Sequence, residues 1–131
     1  MRDPGGRATQ AVLIIVGGLH LLPSTGMLST GRLAALYGIA LQDADLVILM
    51  RHRAVLFGIL GLLMIGGAFR AELTGAALGA GIASVASFIA LALLVGGYGP
   101  ALGRVVAIDA AALLLLGMGA ILHFRRGRRA R

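Results

Sequence analysis

Residues 46–69 read LVILMRHRAVLFGILGLLMIGGAF, and this stretch decides the fold. It is apolar except for Arg51, His52 and Arg53 near its beginning. It is also longer than the roughly 20 residues that a helix needs to cross the hydrocarbon of a bilayer. A helix satisfies its own backbone hydrogen bonds, which lipid cannot do. The stretch therefore predicts a transmembrane helix that carries charge close to one end.

Comparable apolar stretches lie on both sides of it. The predicted spans are approximately residues 8–28, 46–69, 73–98 and 105–124. The chain has 131 residues, of which 59% are hydrophobic and 13% are charged. A soluble domain of this size cannot bury so much apolar surface, so lipid must solvate much of it. We predict a single transmembrane domain over residues 1–131 with an all-α fold, an integral membrane four-helix bundle.

The connection between the first two spans predicts a short extra helix. Pro23 should kink or end the first span, because proline lacks the N–H that a helix interior needs. Residues 32–41, RLAALYGIAL, are apolar but too short to cross a membrane. We expect a short interfacial helix between helices 1 and 2, lying at the membrane surface or packed on the bundle. Asp43 should cap the second span, with Asp45 in its first turn.

The remaining connections are short. Arg70 and Glu72 form a tight link between the second and third spans, and residues 96–100, GGYGP, break the chain before the fourth. The first span has a basic start, but no small-x-small cleavage site follows its apolar run. We therefore expect a retained helix and not a cleaved signal peptide.

Arginine distribution predicts the orientation. The net charge is +7, and all 12 basic residues are arginine. Eight arginines fall on the side of the two termini and four on the opposite side, which predicts that both termini are cytoplasmic. In the basic tail, residues 125–131, we interpret the arginines as a cytoplasmic anchor at anionic lipid headgroups: Arg125, Arg126, Arg128 and Arg129. A partner-binding tail is the alternative, and the apolar composition argues against nucleic acid as a partner.

Small residues predict where helices approach each other. Gly58 and Gly61 recur at helical spacing in the second span, and Gly75 and Gly79 form a GxxxG pair in the third. Small residues let helix backbones come close in lipid. These faces serve either packing inside the bundle or contact with a second copy or another subunit.

Ionisable residues at membrane depth are the candidate functional residues. His20 shares a helical stripe with Gly17, and Arg51 shares one with Gly58 and Gly61, so we expect both to point inward. We predict that Arg51 pairs with Asp109 and that Arg53 reaches outward towards the headgroups. The candidate ligand-binding residues are His20, Tyr37, Arg51, His52 and Asp109. The alternatives are a structural clasp between helices and, for Tyr37, an anchor at the membrane interface.

The chain lacks the residues that several kinds of chemistry require. The chain contains no cysteine and no HExxH pattern, so we predict no metal site. No serine is paired in sequence with a histidine and an acid, so we predict no catalytic residues, and an enzyme is not supported. No cofactor is predicted, although a quinone or a lipid is considered as a ligand.

The order of these segments resembles the DoxX-like superfamily of small bacterial membrane proteins, including its DUF4345 group. The resemblance rests on the apolar first span ending near Pro23, followed by LAALYGIALQDADL, then MRHRAVLFGILGLL, then AFRAEL. It covers nearly the whole chain. It implies a four-helix bundle in the bacterial inner membrane and an association with quinone-linked or oxidative-stress redox systems.

Three functions remain open from the sequence. The first is an accessory or scaffold subunit of a membrane complex, whose partners are membrane lipids, other subunits or a second copy of the chain. The second is a lipophilic-ligand-binding or redox-linked module in which the Arg, Asp and His cluster holds a quinone-like molecule in the outer leaflet. The third is a small proton-coupled transporter that uses Asp109 and His20.

Overall fold

A computed structural model describes residues 4–129 of the chain, and the side chains of residues 4–128. Its helices are α1 (Pro4–Ser24), α2 (Thr30–Tyr37), α3 (Ala44–Phe69), α4 (Ala71–Val95) and α5 (Pro100–Arg129), with a 3-10 turn at Thr25–Met27. Within this described part there is no strand. Helices α1, α3, α4 and α5 are long and apolar enough to cross a membrane. The prediction of an all-α membrane helix bundle is confirmed, and the protein is a multi-pass membrane protein.

The four long helices form a square bundle. Helix α1 packs against α3 and α5, and α4 packs against the other sides of α3 and α5. Helices α3 and α5 therefore lie at opposite corners. The chain alternates in direction, so α2 and the α4–α5 connection lie at one end, which we call the α2 end. The helical termini and the α3–α4 connection lie at the other end, which we call the terminal end.

The apolar core lies between these helices. Its largest fully buried side chains include Leu13 and Val16 from α1, Met64 from α3, Leu78 from α4 and Leu116 from α5. One interhelical hydrogen bond joins polar atoms inside this region, from the Thr9 hydroxyl to the Gly119 carbonyl at 3.3 Å. All four spans therefore contribute side chains to one apolar core.

Helices α1 and α3 pack closely where two glycines meet. A Cβ atom added to Gly61 would lie 2.8 Å from the Gly17 carbonyl oxygen, and one added to Gly17 would lie 2.9 Å from the Gly61 carbonyl oxygen. Each position therefore needs a residue without a side chain. One turn along α3, Gly58 faces Ser24. This contact holds α1 and α3 together towards the α2 end.

The connections follow the signals in the sequence. Helix α1 ends at Ser24, one residue after Pro23. The Asp43 carboxylate accepts a hydrogen bond from the Leu46 N–H at 3.1 Å and caps α3, with Asp45 in the first turn. The capping role predicted for Asp43 is confirmed. The extra helix α2 begins two residues earlier than residue 32 and ends at Tyr37, because Gly38 adopts a left-handed conformation with φ of 66°.

The two links to α4 differ in kind. A single extended residue, Arg70, joins α3 to α4, and the Thr74 hydroxyl donates to the Gly67 carbonyl at 2.8 Å across this link. At the other end of α4, Gly96 and Gly97 both have a φ of 65°, a conformation that favours glycine. This pair ends α4 at Val95, earlier than the predicted span.

Helix α5 is longer than the predicted span of residues 105–124. It starts at Pro100, where the fixed φ of proline suits the first helical position, and it continues to Arg129. Helix α5 therefore continues beyond the apolar span through the arginines at positions 125, 126 and 128. Arg2 and Arg131, which contribute to the predicted orientation, lie outside the described residues, as does the side chain of Arg129.

Helix α2 packs on the bundle and does not span it. Leu33 and Tyr37 are buried together with Ala54 of α3, and Leu102 and Val105 of α5 pack against them. A Cβ atom on Gly38 would lie 2.9 Å from Ala101 at the start of α5. Helix α2 thus bridges the two opposite corners α3 and α5 at the α2 end.

Candidate ligand-binding site

The polar residues inside the bundle collect at the α2 end. Arg53 lies about 14 Å along α3 from Ala44, and Asp109 lies about 14 Å along α5 from Pro100, at a rise of about 1.5 Å per residue. His20 lies one turn before the end of α1, and Tyr37 ends α2. Four different helices therefore bring one ionisable residue each to the same end of the bundle.

Arg53 is the basic residue that points into the structure. Its guanidinium carbon lies 5.1 Å from the centre of the Tyr37 ring, 5.0 Å from that of Phe57 and 5.0 Å from that of Phe88. A cation over an aromatic face is stabilised by about 0.5–2 kcal/mol, more when it is shielded from water. None of these three side chains accepts a hydrogen bond from the guanidinium, and Arg53 has no hydrogen bond or ion pair with any other described residue.

The predicted orientation of Arg51 is wrong. Arg51 is exposed, and its Nε donates to the Met27 carbonyl oxygen at 2.7 Å. Arg51 does lie on the α3 face that packs on α1. However, α1 ends at Ser24, so at the level of Arg51 this face meets the 3-10 turn and not another helix. The predicted pair of Arg51 with Asp109 does not form, because Arg51 is exposed and bonded to Met27, whereas Asp109 is half-buried near Arg53.

The other predicted site residues divide into two groups. His20 and Tyr37 are buried and Asp109 is half-buried, all near Arg53. His52 is exposed beside Arg51 and lies away from this group. The structure therefore brings together His20, Tyr37 and Asp109, adds Arg53, and leaves Arg51 and His52 on the surface of α3.

His20 is the most deeply buried of these groups, with 4% of its surface exposed. Its Nδ1 lies 2.9 Å from the Val16 carbonyl oxygen, and its ring contacts the Phe57 ring at a centroid distance of 5.4 Å. The other ring nitrogen, Nε2, is buried without a hydrogen-bond partner among the described residues. A buried nitrogen in this condition is unusual in a folded protein.

Electrostatic interactions connect the remaining members. Asp109 is close enough to His20 and Arg53 to interact with them electrostatically, and Tyr37 is close enough to Arg53 and Asp109. Burial raises the pKa of the Tyr37 hydroxyl above its ordinary value; the nearby Arg53 opposes this rise and Asp109 adds to it. We refer to His20, Tyr37, Arg53 and Asp109 as the polar cluster.

A crevice of about 590 Å³ opens beside Arg53 between α3 and α4. The two helices are held close at the Arg70 link, where a Cβ atom on Gly67 would lie 2.6 Å from that of Ala77, and the crevice lies at the opposite end of the pair. Most of the lining is apolar, and the polar atoms come from few side chains. The lining includes Arg53, Leu56, Leu60, Phe88, Leu91 and Val95.

Arg53, Phe57 and Phe88 are the site residues that sequence reasoning missed. Arg53 and Phe57 are four residues apart and therefore share a helix face, which is a signal that the sequence contains. Phe88 is on another helix, and no local pattern connects it with Arg53. The crevice itself depends on how α3 and α4 pack and has no counterpart in the sequence.

The glycines predicted for helix packing also divide into two groups. Gly58 and Gly61 lie at the α1–α3 contact, whereas Gly79 has no other atom within 4 Å of an added Cβ, and Gly75 has only the His123 Nε2 at 3.7 Å. The predicted anchor residues Arg125, Arg126 and Arg128 lie on the exposed end of α5 at the terminal end, about 24–29 Å along the helix from Asp109 of the polar cluster.

The described residues contain no group of three or more His, Cys, Asp or Glu side chains that could hold a metal ion. No family model, curated protein or solved structure matches the chain.

Proposed function

We propose that this protein binds a membrane-soluble amphiphile in the α3–α4 crevice and that Arg53 holds the polar head of the ligand. The observation that carries this proposal is a half-buried guanidinium whose faces are covered by three rings and whose N–H groups lack an acceptor among the described residues. An unpaired charged donor at membrane depth is costly. An oxygen atom of a ligand head group supplies the missing acceptor.

The chemistry of the crevice defines the ligand class. A guanidinium presents a planar fork of N–H donors that fits a carbonyl, a carboxylate or a phosphate. Leu56 and Leu60 on α3 and Leu91 and Val95 on α4 form an apolar wall that accommodates a hydrocarbon chain. The volume of about 590 Å³ falls within the roughly 300–1,000 Å³ of small-molecule sites. A quinone and a phospholipid share these features, so both belong to the proposed class.

The cellular location is part of the same proposal. The resemblance to the DoxX-like superfamily supports a bacterial inner membrane, and the arginine distribution supports cytoplasmic termini. In that orientation the α2 end lies at the outer leaflet. A ligand would then enter the crevice sideways from the outer leaflet, with its head at the depth of Arg53.

Native mass spectrometry of protein extracted together with its lipids tests this proposal. The two arginines on α3 provide a matched pair, since Arg53→Gln and Arg51→Gln remove the same charge two residues apart. Loss of a hydrogen bond to a charged group costs about 1.5–3 kcal/mol, so Arg53→Gln should weaken binding about tenfold or more. We expect the bound mass to be lost in Arg53→Gln and retained in Arg51→Gln.

The mass of the retained molecule separates a quinone from a phospholipid. The proposal is wrong if the unmodified protein retains no such molecule, or if both variants retain it equally. Equal loss from both variants would show that only net charge matters, and this too would contradict a site built on Arg53. Melting curves of both variants establish that the fold is intact.

An accessory or scaffold subunit is the second candidate function, and an exposed face of α4 favours it. Ala76, Gly79, Ala83 and Ala90 follow one another at helical spacing and are all exposed. A face of this kind lets another helix approach closely in lipid. A detergent-corrected mass above that of one chain, reduced to one chain by Gly79→Leu, is expected for this role. A monomer without partners in mild detergent would contradict it.

A further inference from the structure

His20 is held in one tautomer by its own helix. A carbonyl oxygen can only accept a hydrogen bond, so the contact of Nδ1 with the Val16 oxygen at 2.9 Å places the hydrogen on Nδ1. In the neutral imidazole the other nitrogen, Nε2, is then a bare acceptor. This atom is buried in a side chain that is only 4% exposed, and no described residue donates to it.

Asp109 is the second acceptor of this region. It lies on α5, which packs against α1, and it is close enough to His20 for the two groups to interact electrostatically. Its carboxylate has no hydrogen bond or ion pair within the part of the chain that the structure describes. His20 Nε2 and the Asp109 carboxylate are therefore both hydrogen-bond acceptors without a donor among the described residues. A single added proton could serve both of them.

We infer that His20 and Asp109 form a proton-binding site inside the bundle. The proton adds to the lone pair of His20 Nε2 and gives an imidazolium beside the Asp109 carboxylate, or it resides on the carboxylate and is donated to Nε2. The two groups share no hydrogen bond in the structure, so the imidazole and the carboxylate must move closer together for the proton to join them. The proton comes from water at the α2 end, and no electrons are transferred.

The charges around this site come from three further directions. Arg53 faces it from α3 and Tyr37 from α2, whereas the acidic residue of α4, Glu72, lies in the first turn at the terminal end. Without the extra proton, the positive charge of Arg53 and the negative charge of Asp109 give the cluster no net charge. The extra proton leaves a net positive cluster, which an anionic head group at Arg53 would neutralise. The site itself needs no ligand and goes beyond the proposed function.

Nitrogen-15 NMR of histidine measures the site directly. The double variant His52→Gln/His123→Gln leaves His20 as the one imidazole of the chain. In ligand-free protein in bilayers we expect the neutral form to carry its hydrogen on Nδ1, and an imidazolium to appear on acidification. Asp109→Asn in this background should reduce the ratio of imidazolium to neutral imidazole about tenfold or more at a fixed, mildly acidic pH.

Asp45→Asn is the matched control, because it removes an exposed carboxylate at the same end of the bundle. We expect it to leave the ratio unchanged, and we expect Asp109→Glu to retain most of it. A neutral form with its hydrogen on Nε2 would overturn the inference without any change at Asp109. An unchanged ratio in folded Asp109→Asn would overturn it as well. Neither outcome bears on ligand retention at Arg53, so the two proposals fail separately.

Discussion

Two arginines separated by one residue have opposite environments in this protein. Arg51 is exposed and bonds the Met27 carbonyl, whereas Arg53 is half-buried among three aromatic rings. Consecutive helical residues differ by about 100° in direction, so a shift of two positions changes the face completely. Since α3 is apolar on nearly every side, its own pattern does not show which arginine faces the bundle.

Tyr37 provides a test at the residue scale. Burial raises its pKa above the ordinary value of 10.0, so the folded state holds the phenolic proton more tightly than the unfolded state does. This contribution to stability is fully present below about pH 10 and is lost as the pH rises through the folded pKa. We expect the melting temperature in detergent to fall above that pH, and Tyr37→Phe to remove part of the fall.

The exposed tyrosine supplies the control for that experiment. Tyr98→Phe removes a phenol that lies in the α4–α5 connection, and we expect it to leave the alkaline fall unchanged. If Tyr37→Phe and the unmodified protein lose stability equally with rising pH, the buried phenol does not contribute as described.

At the scale of the helices, the bundle combines one very close contact with one open one. Helices α1 and α3 touch backbone to backbone at Gly17 and Gly61. Helices α3 and α4 touch near Gly67 but enclose the crevice further along, where Phe57 and Phe88 replace small residues. The size of the side chains along each contact therefore determines where the bundle is closed and where a ligand fits.

Glycine substitutions test this distribution of contacts. An alanine in the interior of a helix is ordinarily more favourable than glycine by about 1 kcal/mol. At Gly61 the new Cβ would lie 2.8 Å from a backbone oxygen, which cannot move aside easily. We therefore expect Gly61→Ala to lower the free energy of unfolding by about 1–3 kcal/mol, as overpacking does.

Gly79→Ala is the comparison, because nothing lies within 4 Å of its added Cβ. We expect it to be neutral or stabilising for the isolated chain. Unfolding by a denaturing detergent in mixed micelles gives both values. A loss at Gly79 as large as that at Gly61 would show that the close crossing is not the cause.

The whole molecule is polar at its two ends in different ways. The α2 end holds the polar cluster inside the bundle, whereas the terminal end displays the arginines of α5 outside it. Buried ionisable groups at one end and a basic surface at the other give the bundle a direction across the membrane. The basic end is expected to face the cytoplasm and its anionic lipids.

The absence of cysteine makes this orientation measurable, since an introduced cysteine is the one thiol in the chain. Gln42→Cys lies in the exposed α2–α3 connection, and Gly127→Cys lies at the exposed end of α5. We expect an impermeant thiol reagent to label the first variant in intact cells and the second only after lysis. The reverse pattern would show that the termini face outward.

The sequence by itself determined that this protein is an all-α membrane bundle, because a span requires about 20 apolar residues whatever the packing. It also determined the local breaks, since Pro23, Asp43 and the glycines at 96 and 97 act through their own backbone chemistry. Only the tertiary structure decided that Arg53 and not Arg51 joins His20, Tyr37 and Asp109. That choice depends on where α1 ends and on which helices pack against each other. The sequence of a helix that is apolar on all sides indicates neither of these.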